Sequence, residues 1–127
     1  MELALESANI STDAIGYVNA HATSTFAGDR AEAVAVKELF GGDVPVSSYK
    51  GYMGHTMAAS GVLETIISIL SVREERLIPN MNLDEVAEGC EGIHLPTATS
   101  ALQTEFWIKN SFGLGGINTS LVLRSID

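Results

Sequence analysis

An α/β fold with helices packed on a partly parallel sheet is what this sequence predicts, and two observations carry that prediction. From residue 15 to residue 72, stretches of β character alternate with stretches of helical spacing, as strand, helix, strand, helix. Near the end of the chain, two further β-rich runs flank a glycine-rich turn, which adds a hairpin to the same sheet.

Taken in order, Met1–Asn9 (MELALESAN) reads as one or two helical turns with Leu3 and Leu5 apolar, and its abrupt start suggests the end of a longer helix. Ile15–His21 (IGYVNAH) is a β-rich run that ends in the polar stretch ATST. In Asp29–Phe40, Ala31, Val34, Ala35 and Leu39 fall at helical spacing, Asp29 and Glu32 lie near the N-terminal end, and Gly41-Gly42 stops the helix. Val44–Ser48 is a short strand. Met57–Val72 is a helix with no polar face wide enough to meet water, and a helix apolar all round is buried. Ser60, Glu64, Ser68 and its short span argue against a bilayer, which requires about 20 mostly apolar residues. Pro79–Pro96 reads as a long surface connection. It holds Cys90 and His94, read as ordinary loop residues because two ligands do not make a zinc site. Glu105–Ser111 and Thr119–Arg124 are the strands of the hairpin, with Phe112–Asn118 as its turn.

The chain has 127 residues, of which 46% are hydrophobic, enough for one modest domain. Sixteen acidic residues against 7 basic ones leave a net charge of −9, which argues against nucleic-acid binding and against anionic membrane surfaces. A single cysteine excludes an internal disulfide and fits a reducing compartment. No signal peptide is visible, so the expectation is a soluble cytoplasmic protein.

Ser47–Ser71 organises the rest. Its only ionisable groups apart from the tyrosines are Lys50 and His55 in a glycine-punctuated loop and Glu64 alone on the helix. Charged groups at the edge of a core tend to be paired, functional or both. His55 lies just before the helix, where the macrodipole favours a neutral imidazole and a nearby anion or carbonyl oxygen. It reads either as an electrophile or acid–base group or as a helix cap. The turn FGLGGIN does not match G-x-G-x-x-G and opens no helix, which argues against a dinucleotide site. Its glycines either satisfy a hairpin or shape a backbone that donates N–H groups to a ligand oxygen.

Three segments combine at this point. NAHATSTFAGD (19–29), SSYKGYMGHTMAASGVLE (47–64) and NSFGLGGIN (110–118), in this order and spacing, resemble the C-terminal portion of the β-ketoacyl-acyl-carrier-protein synthases, condensing enzymes of the thiolase superfamily. The resemblance covers essentially the whole chain but well under half of the family's length. It implies a thiolase-like three-layer α/β/α half-domain on a mixed sheet, incomplete at its N-terminal side, with residues 1–127 forming a C-terminal ketosynthase domain that lacks the cysteine-bearing N-terminal half. It further implies that His21 and His55 are the two catalytic histidines, which hydrogen-bond the malonyl thioester carbonyl and stabilise the enolate left by decarboxylation. Lys50 matches the active-site lysine and Glu64 the glutamate that holds it. Thr23 and Thr25 match hydroxyls that contact the pantetheine arm. Phe112, Gly113 and Leu114 line the substrate site, and the Leu114 backbone N–H matches an oxyanion-hole donor. The nucleophilic cysteine lies earlier in the family and is not Cys90, so the chain alone is expected to be inactive.

The implied activity is the decarboxylative Claisen condensation of an acyl thioester with malonyl-carrier protein, in fatty acid or polyketide synthesis. The implied partners are an acyl carrier protein, the N-terminal ketosynthase half and further copies in an oligomer, with no cofactor. The competing reading from another class is a non-catalytic binding or dimerisation subunit of the chain-length-factor type. A satisfied hydrogen-bond network in a core is a third account of the same polar set, and a hydrolase is disfavoured by the lack of a G-x-S-x-G elbow. The chain departs from the family at Phe26, where proline is common, at Leu114, where phenylalanine gates the acyl pocket, and at Ile117, where threonine is usual. Some relatives hold a structural cation near the positions of Asn19, Glu64, Lys109 and Asn110. Lys109 brings its own charge there, and no metal is predicted. With the first strand of the sheet missing, the chain is expected not to be a stable monomer.

Overall fold

A computed structural model describes residues 1–126. Its four α-helices are α1 (Glu2–Ala8), α2 (Phe26–Phe40), α3 (Lys50–Met53) and α4 (Ser60–Arg73). The strands are β1 (Ile15–Asn19), β2 (Val46–Ser47), β3 (Arg76–Leu77), β4 (Ser100–Ala101), β5 (Phe106–Phe112) and β6 (Asn118–Arg124). The main sheet runs β2-β1-β5-β6, with β1 parallel to both β2 and β5, and β6 antiparallel to β5. It is the mixed α/β arrangement the sequence predicts. A second, two-stranded sheet, β3 with β4, was not foreseen.

Strand alternation sends neighbouring residues to opposite faces, and each face has its own core. Val18, Ile108, Ile15 and Val46 pack with Leu5 of α1 and Val36 of α2. Tyr17 and Trp107 pack with Val72 of α4, Leu77 and Leu102. Burial of each large side chain contributes roughly 1.5–3 kcal/mol. The sheet is thus a middle layer between helices.

Four expectations need correction. β1 ends at Asn19 and does not reach His21. The N–H groups of His21 and Ala22 instead go to the Glu32 carboxylate, at 2.9 and 2.8 Å, which draws the chain out of the sheet. α2 starts three residues early, at Phe26, because Asp29 Oδ1 reaches back to the N–H groups of Thr23 and Thr25 at 3.1 and 3.3 Å. Its buried face is Glu32, Ala33 and Val36, while Val34 is exposed. The predicted face was displaced because buried Glu32 is part of the packed side.

Lys50 does not lie in a loop: it opens α3, which Gly54 ends at φ 70°. α4, finally, is not buried all round. It buries Ser60, Glu64, Ser68, Ser71 and Val72, and exposes Val62, Leu63, Ile66, Ile69 and Leu70. The polar residues recur at intervals of three and four along one stripe, so the amphipathy is present but inverted. No helix among the described residues is long and apolar enough to cross a membrane.

Candidate active site

His21 leaves the end of β1 and His55 lies between α3 and a tight turn, Met57–Ala59, that leads into α4. Their rings meet edge to face, with centroids 5.5 Å apart, and the Phe112 ring at the end of β5 lies 5.7 Å from His21. Three segments far apart in sequence therefore converge on one spot.

The tautomer of His55 follows from a local bond. The Met57 N–H donates to His55 Nδ1 at 3.0 Å, with Met57 held at φ 53°. An accepting Nδ1 leaves the proton of a neutral ring on Nε2, as a free donor. His55 thus caps the turn before α4, and the same bond leaves Nε2 of a neutral ring free to donate. For His21, burial foremost, then the Lys50 and Lys109 ammonium groups and His55, push the imidazole below the ordinary histidine value. A neutral ring can donate through one nitrogen to a developing oxyanion without a prior proton transfer.

Beneath the histidines lies a buried charge cluster. Glu64 is 0% exposed; its Oε1 accepts from Lys50 Nζ at 2.5 Å and from Ser60 Oγ at 2.6 Å, and its Oε2 accepts from Lys109 Nζ at 2.5 Å. Burial alone would raise the Glu64 carboxyl. The hydrogen bonds from Lys109, Lys50 and Ser60 together outweigh it, and the group falls below the usual carboxylate range. Burial lowers the Lys109 ammonium; the Glu64 contact works against that and Lys50 works with it. The Lys50–Glu64 pairing expected from the resemblance is present, and Lys50 acts on His21 through its field.

A network of neutral groups continues below. Tyr17 OH bonds Ser47 Oγ at 2.8 Å and Tyr49 OH at 2.9 Å. Burial raises both phenols above their ordinary value, so they remain protonated.

Thr23 and Thr25 lie in the loop after His21 with their hydroxyls 3.1 Å apart. Ala22 at φ 24° and Ser24 at φ 61° bend this loop sharply. Phe26, where the family commonly has proline, is the first helical residue of α2, the position at which a missing N–H costs nothing. In the hairpin, the Gly113 N–H donates to the Ile117 carbonyl at 2.8 Å, with Gly115 and Gly116 both at positive φ. Leu114 projects into solvent from this turn.

Sequence reasoning missed Glu32. Its carboxylate receives three donors: the His21 and Ala22 N–H groups and, at 2.9 Å, Asn110 Nδ2. It sets the backbone that carries one histidine and ties it to the strand that carries Phe112. A carboxylate in the second turn of a helix that follows a polar loop was the available signal. Cys90 stands apart from the histidines, at the wall of a cavity of about 240 Å³ that Asp29 and Glu32 also line. Burial first, then Asp29 and Glu91, push its thiol up. Among the described residues no group of three or more His, Cys, Asp and Glu could hold a metal ion.

With this geometry in view, the chain was compared with known proteins. The family model of the β-ketoacyl synthase C-terminal domain matches residues 1–84. The 3-oxoacyl-acyl-carrier-protein synthase 2 of Vibrio harveyi is 44% identical over 130 residues, which take in 99% of this chain and 31% of that protein. The crystal structure of a β-ketoacyl synthase from Burkholderia phymatum superposes with a TM-score of 0.96 at 42% identity, over 100% of this chain and 31% of that one. A ketosynthase in complex with its chain length factor, from Xenorhabdus doucetiae, gives a TM-score of 0.87 at 32% identity, over 99% of this chain and 32% of that one. The chain spans less than a third of the length of the Vibrio harveyi protein and of a second 3-oxoacyl-acyl-carrier-protein synthase 2, from Coxiella burnetii.

Proposed function

Because the chain belongs to the β-ketoacyl synthase family, as its C-terminal domain, we propose that it is the malonyl-activating part of a 3-oxoacyl-acyl-carrier-protein synthase. The reaction is a decarboxylative Claisen condensation. The malonyl C–C bond breaks, carbon dioxide leaves, and the electron pair passes into the thioester carbonyl as an enolate. His21 and His55 donate to that oxygen. The enolate carbon then attacks an acyl thioester held on a cysteine outside residues 1–127, and the Leu114 N–H donates to the resulting oxyanion. The tetrahedral intermediate collapses by breaking the C–S bond, so that the cysteine leaves as its thiolate and the acyl group passes to the malonyl-derived carbon. Thr23 and Thr25 hold the pantetheine arm, Phe112 and Gly113 line the site, and Lys50, held by Glu64, helps to keep the His21 ring below the ordinary histidine value.

The observation that supports this most is the edge-to-face histidine pair above a buried Lys50–Glu64 ion pair, with His55 fixed as an Nε2 donor. Its partners would be an acyl carrier protein and a cysteine-bearing N-terminal half, which would cover the exposed apolar row of α4, in a cytoplasmic oligomer. A second reading, a chain-length-factor type of binding subunit, draws on the Xenorhabdus complex and on Leu114 in place of the gating phenylalanine. Retention of both histidines counts against it.

Malonyl-carrier-protein decarboxylation separates the two. The chain is assayed alone and after mixing with the matching N-terminal half. The expected result is activity only on mixing, reduced about 100-fold or more by His55→Ala. A tight complex without decarboxylation would sink the enzyme reading in favour of the binding subunit.

A further inference from the structure

The structural cation that some relatives hold does not fit this chain, because an amine already bonds two of the oxygens at its position. Lys109 projects from β5 toward α4, and its side chain is 1% exposed. Its Nζ donates to Glu64 Oε2 and to the Asn110 carbonyl oxygen. Asn19, its cross-strand partner on β1, is fully buried and keeps an Oδ1 with no hydrogen-bond partner. The two oxygens that hold the amine, a carboxylate and a backbone carbonyl, are the hard donors that suit an alkali or alkaline-earth ion, and Asn19 adds a buried, unpartnered amide oxygen on the adjacent strand. A protonated lysine has three donors and no lone pair to offer a metal. An ion entering this cradle would join two ammonium groups, Lys50 and Lys109, around a single carboxylate.

We propose that the Lys109 ammonium is this protein's built-in cation: it occupies the oxygen cradle, holds Glu64 from the sheet side, and so fixes the carboxylate that Lys50 grips from the other. Lys109 is a positioning residue: it touches neither histidine, holds Glu64 by a hydrogen bond, and reaches His21 only through its field. The assignment of the cradle rests on the residues themselves, and only its consequence for the histidines rests on the proposed condensation.

The test is thermal melting of the intact protein in potassium, sodium and tetramethylammonium chloride at equal ionic strength, the last ion being too large for the cradle. Wild type is expected to melt at the same temperature in all three salts. Lys109→Ser, which empties the cradle of its amine, is expected to melt about 4–8 °C higher in potassium or sodium than in tetramethylammonium, because binding to the folded state alone stabilises it. Lys109→Met, which keeps the bulk without the charge, is expected to melt below wild type in every salt. A wild-type melting point that rises with potassium or sodium overturns the proposal, as does a Lys109→Met variant that melts like wild type. Should Lys109→Ser not fold, those two arms decide. Decarboxylation measured in the same salts keeps the two readings apart: no turnover in any salt, with the melting pattern intact, would remove the condensing reading and leave this one standing.

Discussion

On the side of the sheet that meets α1 and α2, β1 and β5 present Val18 and Ile108, which pack with Leu5, Val36 and Val46 in an aliphatic core. On the side that meets α4, the same strands present Tyr17, Asn19, Trp107 and Lys109, and the helix answers with Ser60, Glu64 and Ser68. The first face is held chiefly by contact area, with the Glu32–Asn110 hydrogen bond at its end. The second is held by named bonds, among them Trp107 Nε1 to Ser68 Oγ at 3.1 Å and the two lysines on Glu64. Area tolerates approximation; a buried polar network does not, because each member left unpaired carries a desolvation cost. The network face is the one that carries the histidines, so rigidity is concentrated under the chemistry.

Removing Glu64 should break this contrast most sharply. Glu64→Gln leaves two ammonium groups buried without a counter-charge, and the expected loss of stability is about 3–5 kcal/mol, read from denaturant unfolding of the intact protein. The loss should depend on pH. The folded-state pKa of Glu64 is lowered, so its stabilisation is complete above the ordinary carboxylate value and disappears as pH falls through the lowered one. The gap between wild type and Glu64→Gln should therefore close in acid. A gap that stays constant would show that the carboxylate charge is not what is lost.

Glu32→Gln should cost less, about 1.5–3 kcal/mol, since the amide can still accept from one of the backbone N–H groups. It should also slow decarboxylation by loosening the His21 loop, and an unchanged rate would remove Glu32 from the site. The smallest effect is expected on the aliphatic face. Ile108→Val deletes one methylene from the core, which costs about 0.5–1.5 kcal/mol, equal at every pH and without effect on turnover. A rate loss from Ile108→Val would mean that the two faces are more tightly coupled than their bonding suggests.

Much of this was legible in the sequence. The strand and helix alternation, the hairpin around FGLGGIN and the pairing of Lys50 with Glu64 all follow from local pattern or from the three motifs. What escaped were features that depend on which side of an element is covered. Hydropathy alone cannot say that Ile66 of α4 faces out while Ser68 faces in, because the packing surface of β5 is itself polar there. Glu32 was illegible for the same reason: its donors are backbone N–H groups, which carry no residue identity. α3 was hidden by Gly51 and Gly54, which make a short helix look like a loop.

The segment read as a surface connection is pinned at its start. Asn80 accepts from the Ser48 N–H at 2.9 Å and donates to the Val46 carbonyl at 2.9 Å, and Asn82 donates to the Gly51 carbonyl at 3.0 Å. A Cβ on Gly51 would stand 2.4 Å from the Met81 carbonyl oxygen. For anyone tagging or splicing this chain, the segment therefore divides in two. Asp84–Glu88, exposed and outside any regular element, can receive an inserted peptide, whereas one placed at 80–82 would lever α3, and Lys50 with it, away from Glu64.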